Sequence, residues 1–147
     1  MKDIDCVYVS ELIKDKARKN NDDDVFKSQF YFTGKQAFEI SKCFGKVDVI
    51  ITDSPIALAA QYTELEKLAD IILEEFNKYE PNNYNILLRR TNGCNTNGIH
   101  QTENEAKKID YDTEQWLNAN NISYITADGN LNGYQKILDN IILILNK

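Results

Sequence analysis

A single histidine, His100, and three widely spaced cysteines, Cys6, Cys43 and Cys94, are all that this 147-residue chain offers in imidazole and thiol ligands. One imidazole leaves little for a histidine-based metal centre. Without a CxxC pair, the thiols read as the reduced cysteines of a cytoplasmic protein and not as a zinc site or a disulfide frame. No apolar run approaches the ~20 residues that a bilayer-spanning helix needs, and the N-terminus lacks the basic-then-apolar build of a signal peptide. Positive charge is short as well: 17 Lys and Arg stand against 23 Asp and Glu, a net charge of −6. That balance argues against a nucleic-acid backbone as partner, because such binding needs a basic face, but it leaves room for a locally basic mononucleotide site. The acidic run Asp22-Asp23-Asp24 reads as a solvated loop, since neighbouring carboxylates stay hydrated unless a fold converges them.

The stretch that is richest in information is Lys46-Val47-Asp48-Val49-Ile50-Ile51-Thr52-Asp53-Ser54-Pro55. Five β-branched residues crowd into positions 47–52 without regular polar alternation, which predicts a strand of a parallel sheet covered on both faces. Around it the chain alternates. Residues 4–10 read as a strand, 11–20 as a short helix or turn, and 25–44 as a helix weakened near Gly34, with Phe26, Phe30, Phe38, Ile40 and Phe44 at helical spacings. A helix over 55–78 is expected to bury Leu65, Leu68, Ile72 and Phe76. Pro81-Asn82-Asn83 is a turn, 84–88 a strand ending in Arg89-Arg90, and 91–101 an Asn- and Gly-rich loop. Thr102 and Glu105 have the spacing of a capping box and open a helix to about Asn120, with Ala106, Ile109, Trp116 and Leu117 facing inward. A strand over 122–126, a turn at Asp128-Gly129-Asn130 and a closing helix over 134–145 complete a single α/β domain spanning 1–147.

Ligands of open α/β sheets bind beyond the carboxyl ends of the strands, so Asp53 lies where a site would form, with Ser54 beside it and Pro55 suited to the first position of the next helix. Asp53 could equally cap that helix without any chemistry.

Three stretches taken together carry a family resemblance. They are Val47 to Pro55, the strand end Leu87-Leu88-Arg89-Arg90, and Gly98-Ile99-His100-Gln101-Thr102-Glu103-Asn104-Glu105-Ala106 running to Asp110. Their order and spacing resemble the P-loop kinase-like ATPases often found in phage genomes, a group similar in fold to nicotinamide riboside kinases and other small nucleoside and nucleotide kinases. Glu11, Gln29, Gln36 and Tyr62 are supporting matches. The resemblance implies a three-layer sandwich around a mostly parallel sheet, ATP and Mg²⁺ as cofactors, and a small nucleotide or nucleoside as ligand. Carried over residue by residue, Asp53 would hold Mg²⁺ or orient the acceptor hydroxyl. Ser54 would lie beside it and Glu11 near the acceptor. Residues 91–101, ending at Gln101, would form the lid, and Arg89 and Arg90 would meet phosphate charge.

The departures bear on activity. No Gly-x-x-x-x-Gly-Lys-Ser/Thr occurs in the chain, and Gly34-Lys35-Gln36 is not that loop, because it lacks the upstream glycine and lies within a predicted helix. The family's first strand, phosphate loop and first helix have no counterpart here, and Gly98-Ile99-His100 stands where the family's lid has Gly-Arg. Phosphate binding in this fold rests on successive backbone N–H groups at a helix N-terminus and one Lys. The expectation is therefore a degenerate or partial relative with little activity alone. The alternatives are an active kinase completed by an upstream segment or partner and a non-enzymatic phage interaction protein in the host cytoplasm; the missing central strand calls for direct re-pairing of its neighbours or for a strand-donating partner, and a homo-oligomer is a further option.

Overall fold

The computed structural model describes residues 3–10, 29–91 and 103–146. The chain divides into two compact units, Met1–Asn82 and Asn83–Lys147. Both are α/β, and each is built on one pair of parallel strands.

In the N-terminal unit, β1 (Cys6–Val9) pairs with β2 (Val49–Thr52) in parallel, in the register Cys6 to Val49 through Val9 to Thr52. Alternation along the strands puts Val7, Val9, Ile50 and Thr52 on one face and Cys6, Tyr8, Val49 and Ile51 on the other. The crossover is α1 (Gln29–Cys43), which runs unbroken through Gly34 and ends before Gly45, a glycine with φ of 74°. Such a left-handed residue just past a helix end is where glycine costs least. α1 packs against β1, and its buried residues are Phe32 and Gln36, one turn apart. The sequence pattern had pointed to Phe30 and Phe38 instead, and both are exposed.

The long helix expected over 55–78 is two helices, α2 (Ile56–Tyr62) and α3 (Glu66–Asn77), which pack on each other and on α1. Thr63 is extended and its hydroxyl accepts the Leu65 N–H at 3.3 Å, so the break is held by a side chain. Ile72 and Phe76 are buried as expected, whereas Leu65 lies in the break and is exposed. The face of the strand pair that carries Tyr8 and Ile51 stays open, at 58% and 47% exposure. The two-sided cover predicted for this strand is thus not seen at Ile51, while toward the other face Gln36 of α1 reaches Thr52.

In the C-terminal unit, β3 (Ile86–Arg89) pairs in parallel with β4 (Ile125–Asp128); they start two and three residues later, and end one and two residues later, than the pattern places them. The crossover is α4 (Glu103–Ala119), in which Ala106, Thr113 and Leu117 are buried while Ile109 and Trp116 are half-buried. It ends in a turn where Ile122 N–H donates to Leu117 O and Asn121 N–H to Asn118 O, with Asn121 at φ 55°. That bond pair is the Schellman arrangement, and Asn is the residue other than Gly that tolerates its left-handed position. The closing helix α5 (Leu131–Leu145) packs on β4 and starts three residues earlier than expected, since Asn130 is its N-cap: the Asn130 side chain accepts the Gly133 N–H at 2.9 Å. Among the described residues no helix is long and apolar enough to cross a membrane.

Candidate functional site

The carboxyl end of β2 is built around one hydroxyl. Thr52 Oγ1 accepts Gln36 Nε2–H at 3.0 Å and the Ser54 N–H at 3.2 Å, and it donates to Ser54 O at 3.3 Å. A hydroxyl has one donor and two lone pairs, so this one is fully committed. Its three bonds shape the turn at Asp53-Ser54 that leads into α2. Pro55 is the N-cap of α2, with φ −62° and ψ 137°, and no side chain caps that helix. Asp53 therefore does not serve as the cap, and Pro55 stands one position earlier than expected. The Asp53 side chain is exposed at the strand end, and Ser54 is half-buried beside it.

The second cluster belongs to the C-terminal unit. Arg90 forms a two-pronged pair with Asp110 of α4, Nε to Oδ2 at 3.0 Å and Nη2 to Oδ1 at 3.2 Å. Arg89 Nη2 lies 3.8 Å from Glu114 Oε1, and the Tyr124 hydroxyl is within 3.2 Å of the same oxygen. Both arginines thus face carboxylates one helical turn apart on α4. Arg90 is tied through a planar fork, and Arg89 is more loosely held and 61% exposed at its side chain. Asp110 and Glu114 are the partners that strand-end reasoning missed. Their i, i+4 spacing on a helix that follows an Arg-Arg pair is the signal that could have found them.

Beside this cluster is an open depression of about 650 Å³ lined by Glu114, Asn118, Asn121, Ile122, Ser123, Tyr124 and Thr126. Of the described residues expected to bind a ligand, Asp53, Ser54, Arg89 and Arg90, none lines it. Glu11 and Gln101, the lid over 92–101 with His100, and the Thr102 end of the capping box lie outside the described residues.

Among the described residues, no group of three or more His, Cys, Asp and Glu side chains is placed to hold a metal ion. Mg²⁺ retains most of its waters and asks for only one or two carboxylates together with substrate phosphates, so Asp53 alone fits its requirements as a single ligand. A triphosphate is another matter. Its cradle in this fold needs successive backbone N–H groups and a Lys, and at the start of the seven-residue α2 the Leu58 N–H is already spent on Pro55 O at 3.0 Å.

No family model, no curated protein and no solved structure matches the chain.

Proposed function

We propose that this chain is a relative of the small P-loop nucleoside and nucleotide kinases that lacks the Walker A loop and binds a nucleotide-sized ligand at the end of β2, with little phosphoryl transfer on its own. The observation that carries the reading is the parallel β1–β2 pair ending in an exposed carboxylate, Asp53, on a turn tied to the crossover helix. This is the position at which open α/β sheets hold their ligands. Asp53 engages a ligand hydroxyl, or Mg²⁺ through water, and Ser54 lies beside it. The reading brings with it the three-layer sandwich of the family, a role for Glu11 near the acceptor, for Gln101 in the lid, and for Arg89 as the freer of the two phosphate-facing cations. It also implies a phage-type protein working in the host cytoplasm.

Isothermal titration with ATP, ADP and nucleosides, each with and without Mg²⁺, tests it. Heat from at least one of these that falls about tenfold in affinity in Asp53→Asn supports the reading, on the usual scale of a hydrogen bond to a charged group. No heat from any of them overturns it.

A second reading is favoured by one observation: among the described residues β2 pairs only with β1, and β3 only with β4. An ATP-dependent kinase completed by a strand and loop from an upstream segment or a partner would need open strands of this kind. Purification together with the products of neighbouring reading frames, followed by an ATP-turnover assay, separates the two. Turnover only in the mixture supports completion, and turnover by the 147-residue chain alone overturns both.

A further inference from the structure

Gln36 stands out in the N-terminal unit because it is buried, at 5% exposure, on a helix whose other buried residue is Phe32. Burying an amide costs about 1–3 kcal/mol unless its hydrogen bonds are replaced, so a leucine would pack at this position more cheaply. What the amide does that a leucine cannot is point. Its Nε2–H reaches 3.0 Å across to Thr52 Oγ1, sixteen residues along the chain, and that oxygen in turn takes the Ser54 N–H and donates to Ser54 O. With one lone pair filled by Gln36 and one by Ser54, the only direction left for the Thr52 proton is the Ser54 carbonyl. The amide thereby selects one rotor state of the hydroxyl, and the hydroxyl selects one geometry of the turn that carries Asp53. The two Thr52–Ser54 bonds close the turn locally, and the bond from Gln36 ties that closed turn to α1; α2 adds no side-chain cap of its own.

We propose that Gln36 is the positioning residue of the candidate site: acting through Thr52 it holds the Asp53-Ser54 turn, and hence the Asp53 carboxylate, in its binding orientation. The proposal rests on the reading of Asp53 as the ligand-facing group, and its test has one arm that does not depend on that reading.

In the first arm, amide hydrogen exchange is measured at Ser54 and, as a reference for the unit as a whole, at Ile72 in α3. Gln36→Leu should speed exchange at Ser54 about tenfold relative to Ile72, the scale of one lost hydrogen bond. Thr52→Val should do the same, Thr52→Ser should stay at the wild-type ratio, and Gln36→Leu with Thr52→Val should be no faster than the faster single variant, because both break one chain of bonds. If Gln36→Leu moves Ser54 and Ile72 together, the amide is only packing and the proposal is overturned. Should Gln36→Leu fail to fold by circular dichroism, the Thr52→Val and Thr52→Ser pair decides: equal Ser54-to-Ile72 ratios in the two overturn it.

The second arm titrates wild type and Gln36→Leu with ADP and Mg²⁺. About tenfold weaker binding by the variant supports the proposal, and equal binding overturns it. A wild type that binds no nucleotide removes the ligand reading, while the exchange ratio still decides whether Gln36 holds the turn.

Discussion

The two units use the same plan, strand, crossover helix, parallel strand, helix, yet they anchor the turn after the second strand to different neighbours. In the C-terminal unit the anchors are a helix cap and the adjoining strand. Asn130 caps α5 from within the turn, Gly129 N–H donates to Arg89 O of β3 at 2.8 Å, and Gly133 lies so close to the end of β4 that a Cβ there would collide with Asp128 O. In the N-terminal unit the anchor is a strand hydroxyl: Thr52 bonds the Ser54 N–H and carbonyl within the turn, and Gln36 of the crossover helix donates to the same oxygen. The bond from Gln36 forms only once α1 is in place, which couples the geometry at Asp53 to the packing of α1.

The charges at the two strand ends differ in the same sense. β2 ends on an exposed carboxylate, while β3 ends on two arginines that face the carboxylates of α4. The C-terminal end has been largely neutralised by its own unit. At the N-terminal end the Asp53 carboxylate is exposed at the surface, and the functional reading rests there.

The comparison can be broken most severely at the cores. Ile72 is 1% exposed in α3, and Ile72→Ala should cost the N-terminal unit about 3 kcal/mol through lost burial and the cavity left behind. Hydrogen exchange followed in both units should show the loss concentrated in residues 29–79. Gly133→Ala is the counterpart in the C-terminal unit. Its new methyl must push the β4 backbone away, so about 2–3 kcal/mol is expected in urea denaturation, with the loss concentrated in β3, β4 and α5.

Removing the self-made cap by Asn130→Ala should cost about 1 kcal/mol, and Asn130→Asp should restore most of it. Breaking the fork by Arg90→Ala should cost only about 0.5 kcal/mol, since both partners are partly exposed, and 1 M salt should erase most of the difference.

The smallest effect concerns pH. Burial holds the Tyr79 hydroxyl above its ordinary value of 10.0, with Glu75 adding to the shift. The folded state therefore favours the neutral phenol. Its contribution is fully present below about pH 10 and is lost as the pH climbs through the raised value. Tyr79→Phe should flatten the stability curve of the N-terminal unit above pH 10 and leave it unchanged at pH 7.

How far apart two partners lie along the chain decides what could be read from the residues. The strand at 49–52 was legible because β-branched residues have few other uses in that density, and the alternation of elements gave the α/β class. Of the turn expected over Asp128-Gly129-Asn130, Gly129 and Asn130 form the bend while Asp128 is the last residue of β4. The role of Gln36 was not, because a pattern of apolar residues assigns a glutamine to the solvent side, and here it is Phe30 and Phe38 that face solvent. The break between α2 and α3 carries a local signal in Thr63, whose hydroxyl accepts the Leu65 N–H two residues on, the hydroxyl turn that Ser and Thr favour. At the candidate site the position of Asp53 at a strand end was legible. The Gln36 bond to the hydroxyl beside it and the carboxylates facing Arg89 and Arg90 were not, since each joins residues 16 to 25 positions apart.

The chain has one tryptophan, and α4 places it, half-buried, in the C-terminal unit. Indole fluorescence accordingly reports from that half of the molecule. A titration that shifts amide signals near Ser54 and leaves the Trp116 emission untouched would place the ligand in one half only, and the same emission during denaturation would time the unfolding of one half against the helical signal of the whole.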